Sequence, residues 1–162
     1  MKIRPTKPIA VILEREAVES RWESHRWNLV DVVPDVGGEP RVILESPQRR
    51  RILHPGFEVV LYEDEAEGYY LNVSTDEPSV FVAVRVDEAS GDLRPFQATL
   101  SYNEAARWMD GSERVERCAA WPELAAWMGE WVQANYRPEP KKRQRPRSFE
   151  GKEGKFREKG PS

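Results

Sequence analysis

The apolar residues of this chain keep two different periods, and the change between them falls at Ser101. Before Ser101 they come in short runs rich in Val, Ile, Leu, Phe and Tyr, separated by Gly, Pro, Asp and Ser, as strands joined by tight connections would be. After it they recur at the i, i+3, i+4 spacing of one helix face. A chain with this order of periods folds as a β-rich body completed by helices.

Residues 8–16 form the first expected strand. Ile9, Val11 and Leu13 share one face, and Ala10 and Ile12 make the other face apolar too, so a central strand covered on both sides is expected. Residues 27–33 follow as a second strand, ended by Pro34. The Gly37-Gly38-Glu39-Pro40 turn leads to a third at 41–45. Pro47, the basic triplet Arg49-Arg50-Arg51 and His54-Pro55-Gly56 give residues 46–56 the look of a loop. Residues 57–62 and 69–73 are expected as strands on either side of the acidic connection Glu63, Asp64, Glu65 and Glu67, and 79–86 and 93–100 as two more. The expected fold class is therefore α+β, with about seven strands in a largely antiparallel sheet, sandwich or partly open barrel.

Ser101 with Glu104 three positions later forms a capping-box pattern, and Tyr102, Ala105, Ala106 and Met109 then fall on one helical face ended by Gly111. Residues 115–119 suit a short extended piece. Pro122 opens a second helix, where Leu124, Trp127, Met128, Trp131 and Val132 make the clearest amphipathic stripe in the chain. That stripe predicts docking on the sheet.

After Tyr136 the composition breaks. Of 25 basic and 28 acidic residues, 15 and 24 precede Arg137, which leaves 10 and 4 for residues 137–162: the net charge is −9 before the break and +6 after it. The sequence thus divides into a folded domain at 1–136 and an expected disordered basic tail at 137–162, whose few apolar residues cannot offset the entropy of ordering. Lys141, Lys142, Arg143, Arg145 and Arg147 are candidates for electrostatic contact with an acidic protein partner. Nucleic-acid binding through the same residues is the weaker alternative, because the acidic body repels phosphates.

The single cysteine, Cys118, allows no internal disulfide, and no apolar run is long enough for a secretory leader or a membrane span. A cytoplasmic protein is expected, and the sequon Asn72-Val73-Ser74 then has no glycosylation machinery to meet. Catalytic and metal constellations are thin. His25, His54 and Cys118 are the only nitrogen or sulfur ligands of these types, and none pairs with another at a metal-ligand spacing. No glycine-rich phosphate loop is present. Trp22, His25 and Trp27 are the one aromatic constellation with the makings of a ligand or interaction site, for instance for a stacked pterin. A packed entry to the second strand is the simpler account of them. His54 is expected in a loop, and Cys118 as a small buried hydrophobe.

Ile9-Ala10-Val11-Ile12-Leu13-Glu14-Arg15, Arg21-Trp22, Trp27, Glu65-Ala66-Glu67-Gly68-Tyr69, Leu71-Asn72-Val73, Leu100-Ser101-Tyr102, Glu104-Ala105, Asp110-Gly111, Pro122-Glu123 and Ala125-Ala126-Trp127 together resemble an uncharacterised bacterial family. Its members are commonly encoded beside molybdenum-dependent formate dehydrogenases and their maturation factors. The family has no established catalytic residues, so the resemblance transfers none. It implies an accessory role in a redox-enzyme system; together with the thin catalytic and metal constellations and the charge break at Tyr136, the expectation is a non-enzymatic accessory or adaptor protein, without a cofactor, whose partner is a molybdoenzyme subunit or maturation factor.

Overall fold

The computed structural model describes residues 3–22 and 24–138. In chain order its elements are β1 (Thr6–Ala17), β2 (His25–Pro34), β3 (Arg41–Glu45), β4 (Arg49–Val60), a single 3-10 turn (Glu63–Glu65), α1 (Ala66–Val73), β5 (Ser79–Val86), β6 (Leu93–Thr99), α2 (Tyr102–Asp110), β7 (Arg114–Ala119) and α3 (Pro122–Asn135). Two antiparallel sheets result, with orders β2-β1-β4-β3 and β6-β5-β7. β2 lies beside β7 and β4 beside β6, and the two sheets do not close into a barrel. α1 packs against both α2 and α3.

One core joins the sheets and helices. Ile9, Val11 and Leu13 of β1 meet Val80, Val82 and Val84 of β5, with Val32, Val59, Leu93 and Tyr69 around them. β1 is the interior strand its sequence predicts, with Ala10 buried on the opposite face. From α3 the core receives Leu124, Met128 and Val132 fully and Trp127 and Trp131 in part, so the amphipathic stripe is docked. At an approximate 1.5 to 3 kcal/mol per fully buried large apolar side chain, the three interior residues alone make that docking strongly favourable.

Three parts of the fold depart from the sequence reading. Residues 49–56 belong to the long strand β4 and not to a loop. The pairs Val11↔His54 and Ile9↔Phe57 leave Pro55 and Gly56 opposite Ala10 alone, so His54-Pro55-Gly56 is a bulge within the strand, with Gly56 at φ +89. The arginine triplet stays in the ladder because its charges meet counterions across it. Arg49 Nη1 and Arg51 Nε donate to the buried Glu14 carboxylate at 2.8 and 2.6 Å, and Arg50 lies opposite Glu45 on β3.

Residues 69–73 are helical, within α1. The aromatic and β-branched run has strand propensity, yet tertiary contacts override it. A Cβ at Gly68 would come within 2.0 Å of Ser101 Oγ, so α1 and the start of α2 approach as only glycine permits. Asn72 is fully buried, donating to the carbonyls of Ser79 and Leu100 at 2.8 Å each and accepting from Ser79 N at 2.9 Å. The seventh strand is instead the piece at 115–119, which extends to Arg114 as β7 and pairs with β5. The acidic connection is likewise ordered: Ser101 Oγ donates to Glu65, Arg107 pairs with the same carboxylate, and Asn103 Nδ2 donates to Glu67 at 2.9 Å. Half of the expected capping box forms: Ser101 Oγ accepts from Glu104 N at 3.0 Å, while Ser101 N donates to Thr99 Oγ1 at 3.0 Å in place of the Glu104 carboxylate.

Asn72→Ala leaves three buried backbone groups at Ser79 and Leu100 without their partner, each costing on the order of 1 kcal/mol or more. The expected result is a melting temperature lower by roughly 10 °C. Thermal unfolding followed by circular dichroism checks this; an unchanged transition removes Asn72 as the link between α1 and the second sheet.

Candidate functional site

The aromatic constellation of the β1–β2 connection is divided by the fold. Trp22 stands 88 % exposed, while Trp27 packs partly into the core and its carbonyl accepts from Arg114. His25 is exposed at the start of β2, with Nδ1 at 3.2 Å from the Ser24 hydroxyl. Trp22 and Trp27 therefore face different surroundings, which gives no support to a ligand stacked between them. Lys141, Lys142, Arg143, Arg145 and Arg147 lie outside the described residues. Among the described residues, no group of three or more His, Cys, Asp and Glu side chains is placed to hold a metal ion, and no helix is long and apolar enough to cross a membrane.

Cys118, on β7, is half-buried against the core. Burial, reinforced by the nearby Asp31 charge, pushes its thiol up to about 12. A thiol of that kind carries almost no thiolate near neutrality.

Two features that sequence reasoning missed lie together on β3 and β4. The first is the free side of β3. Every residue of this strand is exposed, and β3 ends its sheet with β4 on one side only. Val42, Ile43 and Leu44 stand at 41, 47 and 38 % exposure, and Val36 just before the strand at 82 %. The register with β4 shifts at Ile43, a local twist of the kind that makes an edge selective about what pairs with it. Arg41 and Glu45 bracket the apolar residues with opposite charges.

The second is a cavity of about 270 Å³ beside that strand, lined by Arg41, Arg50, His54, Asp92 and Arg94. Residues 50, 52 and 54 share a face of β4 by strand alternation, which delivers Arg50, Ile52 and His54 to it; β3 and the start of β6 supply the rest. His54, expected in a loop, is 8 % exposed, and its Nε2 has no hydrogen-bond partner among the described residues. Burial lowers its pKa, Arg94 pushes in the same direction, and Asp92 opposes them. The signal was present in the alternation of Arg50, Ile52 and His54, but it is readable only once residues 49–56 are known to be a strand.

The fold and these surfaces define a two-sheet α+β protein with an open apolar edge and a cationic cleft next to it. Residues 8–145 match the family described as protein of unknown function (DUF3305), and the chain belongs to that family. The match runs beyond α3 and takes in Lys141, Lys142, Arg143 and Arg145. No curated protein and no solved structure matches the chain.

Two outcomes follow from the chemistry of these groups. Cys118 in the native protein is expected to react with iodoacetamide at pH 7.5 at least about a hundredfold more slowly than after unfolding; mass spectrometry of timed samples checks it, and equal rates would contradict a buried thiol. For His54, a folded pKa below the unfolded value of 6.5 means that the unfolded chain takes up the proton first as pH falls. Its contribution to stability is present above pH 6.5 and lost progressively as pH drops from there to the folded midpoint. His54→Gln removes this component, so urea midpoints at pH 7.5 and 5.0 should differ less in the variant than in the parent.

Proposed function

We propose that this chain is a non-enzymatic accessory or adaptor protein for the assembly or regulation of a formate dehydrogenase-type molybdoenzyme, working in the cytoplasm and docking its partner along β3. The observation that carries this reading is the uncovered strand edge with Val42, Ile43 and Leu44 exposed between Arg41 and Glu45. An open edge with apolar side chains takes up a further strand by main-chain hydrogen bonds, and the side chains select the incoming sequence. The fitting occupant is an extended, largely apolar segment of a protein partner with an acidic residue opposite Arg41 and a basic one opposite Glu45. The likeness to proteins encoded beside formate dehydrogenases supports a subunit or maturation factor of that enzyme as the protein that offers it. The basic residues Lys141, Lys142, Arg143, Arg145 and Arg147 supply a second, electrostatic contact in the same reading.

Full-length protein, Ile43→Glu and a chain ending at Tyr136 are to be compared as baits in native cells, with recovered proteins identified by mass spectrometry. Ile43 is about half exposed on an edge strand, so the substitution costs on the order of 1 kcal/mol or less and the fold is kept, which circular dichroism of the variant checks. Recovery of a molybdoenzyme subunit or maturation factor by the parent, reduced about tenfold or more by Ile43→Glu, is the expected outcome. Failure of the parent to recover either kind of protein refutes the reading. A second copy of β3 run antiparallel would also set Glu45 against Arg41. A homodimer that Ile43→Glu dissolves, with recovery of the other proteins unaffected, would assign the edge to self-association instead.

A further inference from the structure

The cavity beside β3 has the composition of an anion site, and it stands independently of the docking role given to the strand edge. We propose that Arg41, Arg50, Arg94 and His54 form a binding site for a phosphate group, free or as the monoester of a small organic molecule. Three guanidinium groups line the cavity against a single lining carboxylate, Asp92. Their other partners leave donors over. Arg94 pairs through Nε with Asp87 at 3.0 Å, Arg41 gives Nη1 to the carbonyls of Gly37 and Glu39, and Arg50 Nε lies 3.7 Å from Glu45, beyond hydrogen-bond reach. A guanidinium has five N–H groups, so each can still serve an oxyanion.

His54 supplies an independent observation. A buried ring nitrogen without a partner is a cost that folded proteins ordinarily remove by pairing it with protein, water or a bound ion. Here Nε2 sits more than nine-tenths buried on a residue that lines a cavity whose walls carry three guanidinium groups and one carboxylate, with Asp87 and Glu45 pairing with Arg94 and Arg50 from outside the lining. Water would satisfy the nitrogen, whereas a phosphate also takes up the spare guanidinium N–H groups. Nε2 is itself closed to solvent, so in the proposed complex the guanidinium groups hold the phosphate and a turn of the His54 ring brings Nε2–H to one of its oxygens. A cavity of about 270 Å³ exceeds the roughly 30 Å³ share of one water many times over, yet falls just below the usual range for drug-sized ligands. It accommodates a phosphate or a compact monoester.

A bound anion favours the charged imidazolium, so occupancy must raise the His54 midpoint. The chain has two histidines, and the exposed His25 is the internal reference. Ring resonances of full-length protein are to be followed by two-dimensional NMR during titration with inorganic phosphate, and separately with phenyl phosphate, at ionic strength held constant with chloride. Assignment uses His54→Gln and His25→Gln. The expected result is a saturable shift at His54 alone, a midpoint that rises on saturation, and affinity lowered about tenfold by Arg94→Gln. Arg94 is exposed on an edge strand, so this variant keeps the fold, and Arg50→Met is the second test should it fail to do so. Tighter binding of phenyl phosphate assigns the site to organic monoesters, and tighter binding of phosphate to the free ion. No shift at His54 with either compound up to about 20 mM overturns the proposal, as does a shift shared equally with His25 or one indifferent to Arg94→Gln and Arg50→Met.

Discussion

The packing of this protein depends on one buried amide. Asn72 joins its own helix to the first residue of β5, seven positions on, and to Leu100 just after β6, with Met128 Sδ of α3 at 3.8 Å from the same nitrogen. Each backbone group it satisfies lies where a strand begins or ends, and such groups have no ladder partner of their own. Without the amide, α1 would have to withdraw to let water in, and Tyr69 would move with it. That phenol donates to Val60 O and accepts from Tyr62 N, tying the end of β4 to the same helix. Its burial raises the phenol pKa far above the ordinary range, so it remains a neutral donor under all physiological conditions.

The first sheet uses charge in a similar way. Glu14 is buried on the central strand, which would be prohibitive without compensation. Arg49 and Arg51, two residues apart and so on one face of β4, close on its two carboxylate oxygens, while Arg50 turns to the other face. This pairing fixes the register of β4 on β1, because a slip of one residue would bring Arg50 to Glu14 and send both of its partners away. Removal of both arginines would leave the Glu14 carboxylate buried without a counterion, which is costly.

These two interactions explain why some of the fold was legible in the sequence and some was not. β1, β2, β3, β5, β6, α2 and α3 follow from local patterns: alternation, the Gly37-Gly38 turn, the Ser101 cap and the stripe of α3. α1 and the first half of β4 do not, because what holds them lies elsewhere in the chain. The Tyr-Tyr-Leu-Asn-Val run becomes helical through Ser101, Ser79 and Leu100, and the arginine triplet becomes a strand through Glu14 and Glu45. The cleft was lost for the same reason, since His54 could be placed beside Arg50 and Arg94 only after β4 was whole. Trp22, His25 and Trp27 are neighbours in sequence, but Trp22 stands exposed before β2 while Trp27 packs partly into the core. The tail called attention by charge alone, and charge specifies no geometry.

Arg41 is shared by the two surfaces described here, and that sharing constrains how they operate together. On β3 it is the cation that an acidic residue of an added strand would meet; in the cavity it is one of three that would meet a phosphate. Its guanidinium is already steered by the carbonyls of Gly37 and Glu39, so it has little freedom to serve both sides at full strength. A strand carrying an acidic residue would draw Arg41 outward and weaken the cavity for anions. A strand whose own phosphate or carboxylate reached inward would instead join the two surfaces into one. An anion bound in the cleft would change the charge that β3 presents, and a partner reading that edge would then distinguish the filled protein from the empty one.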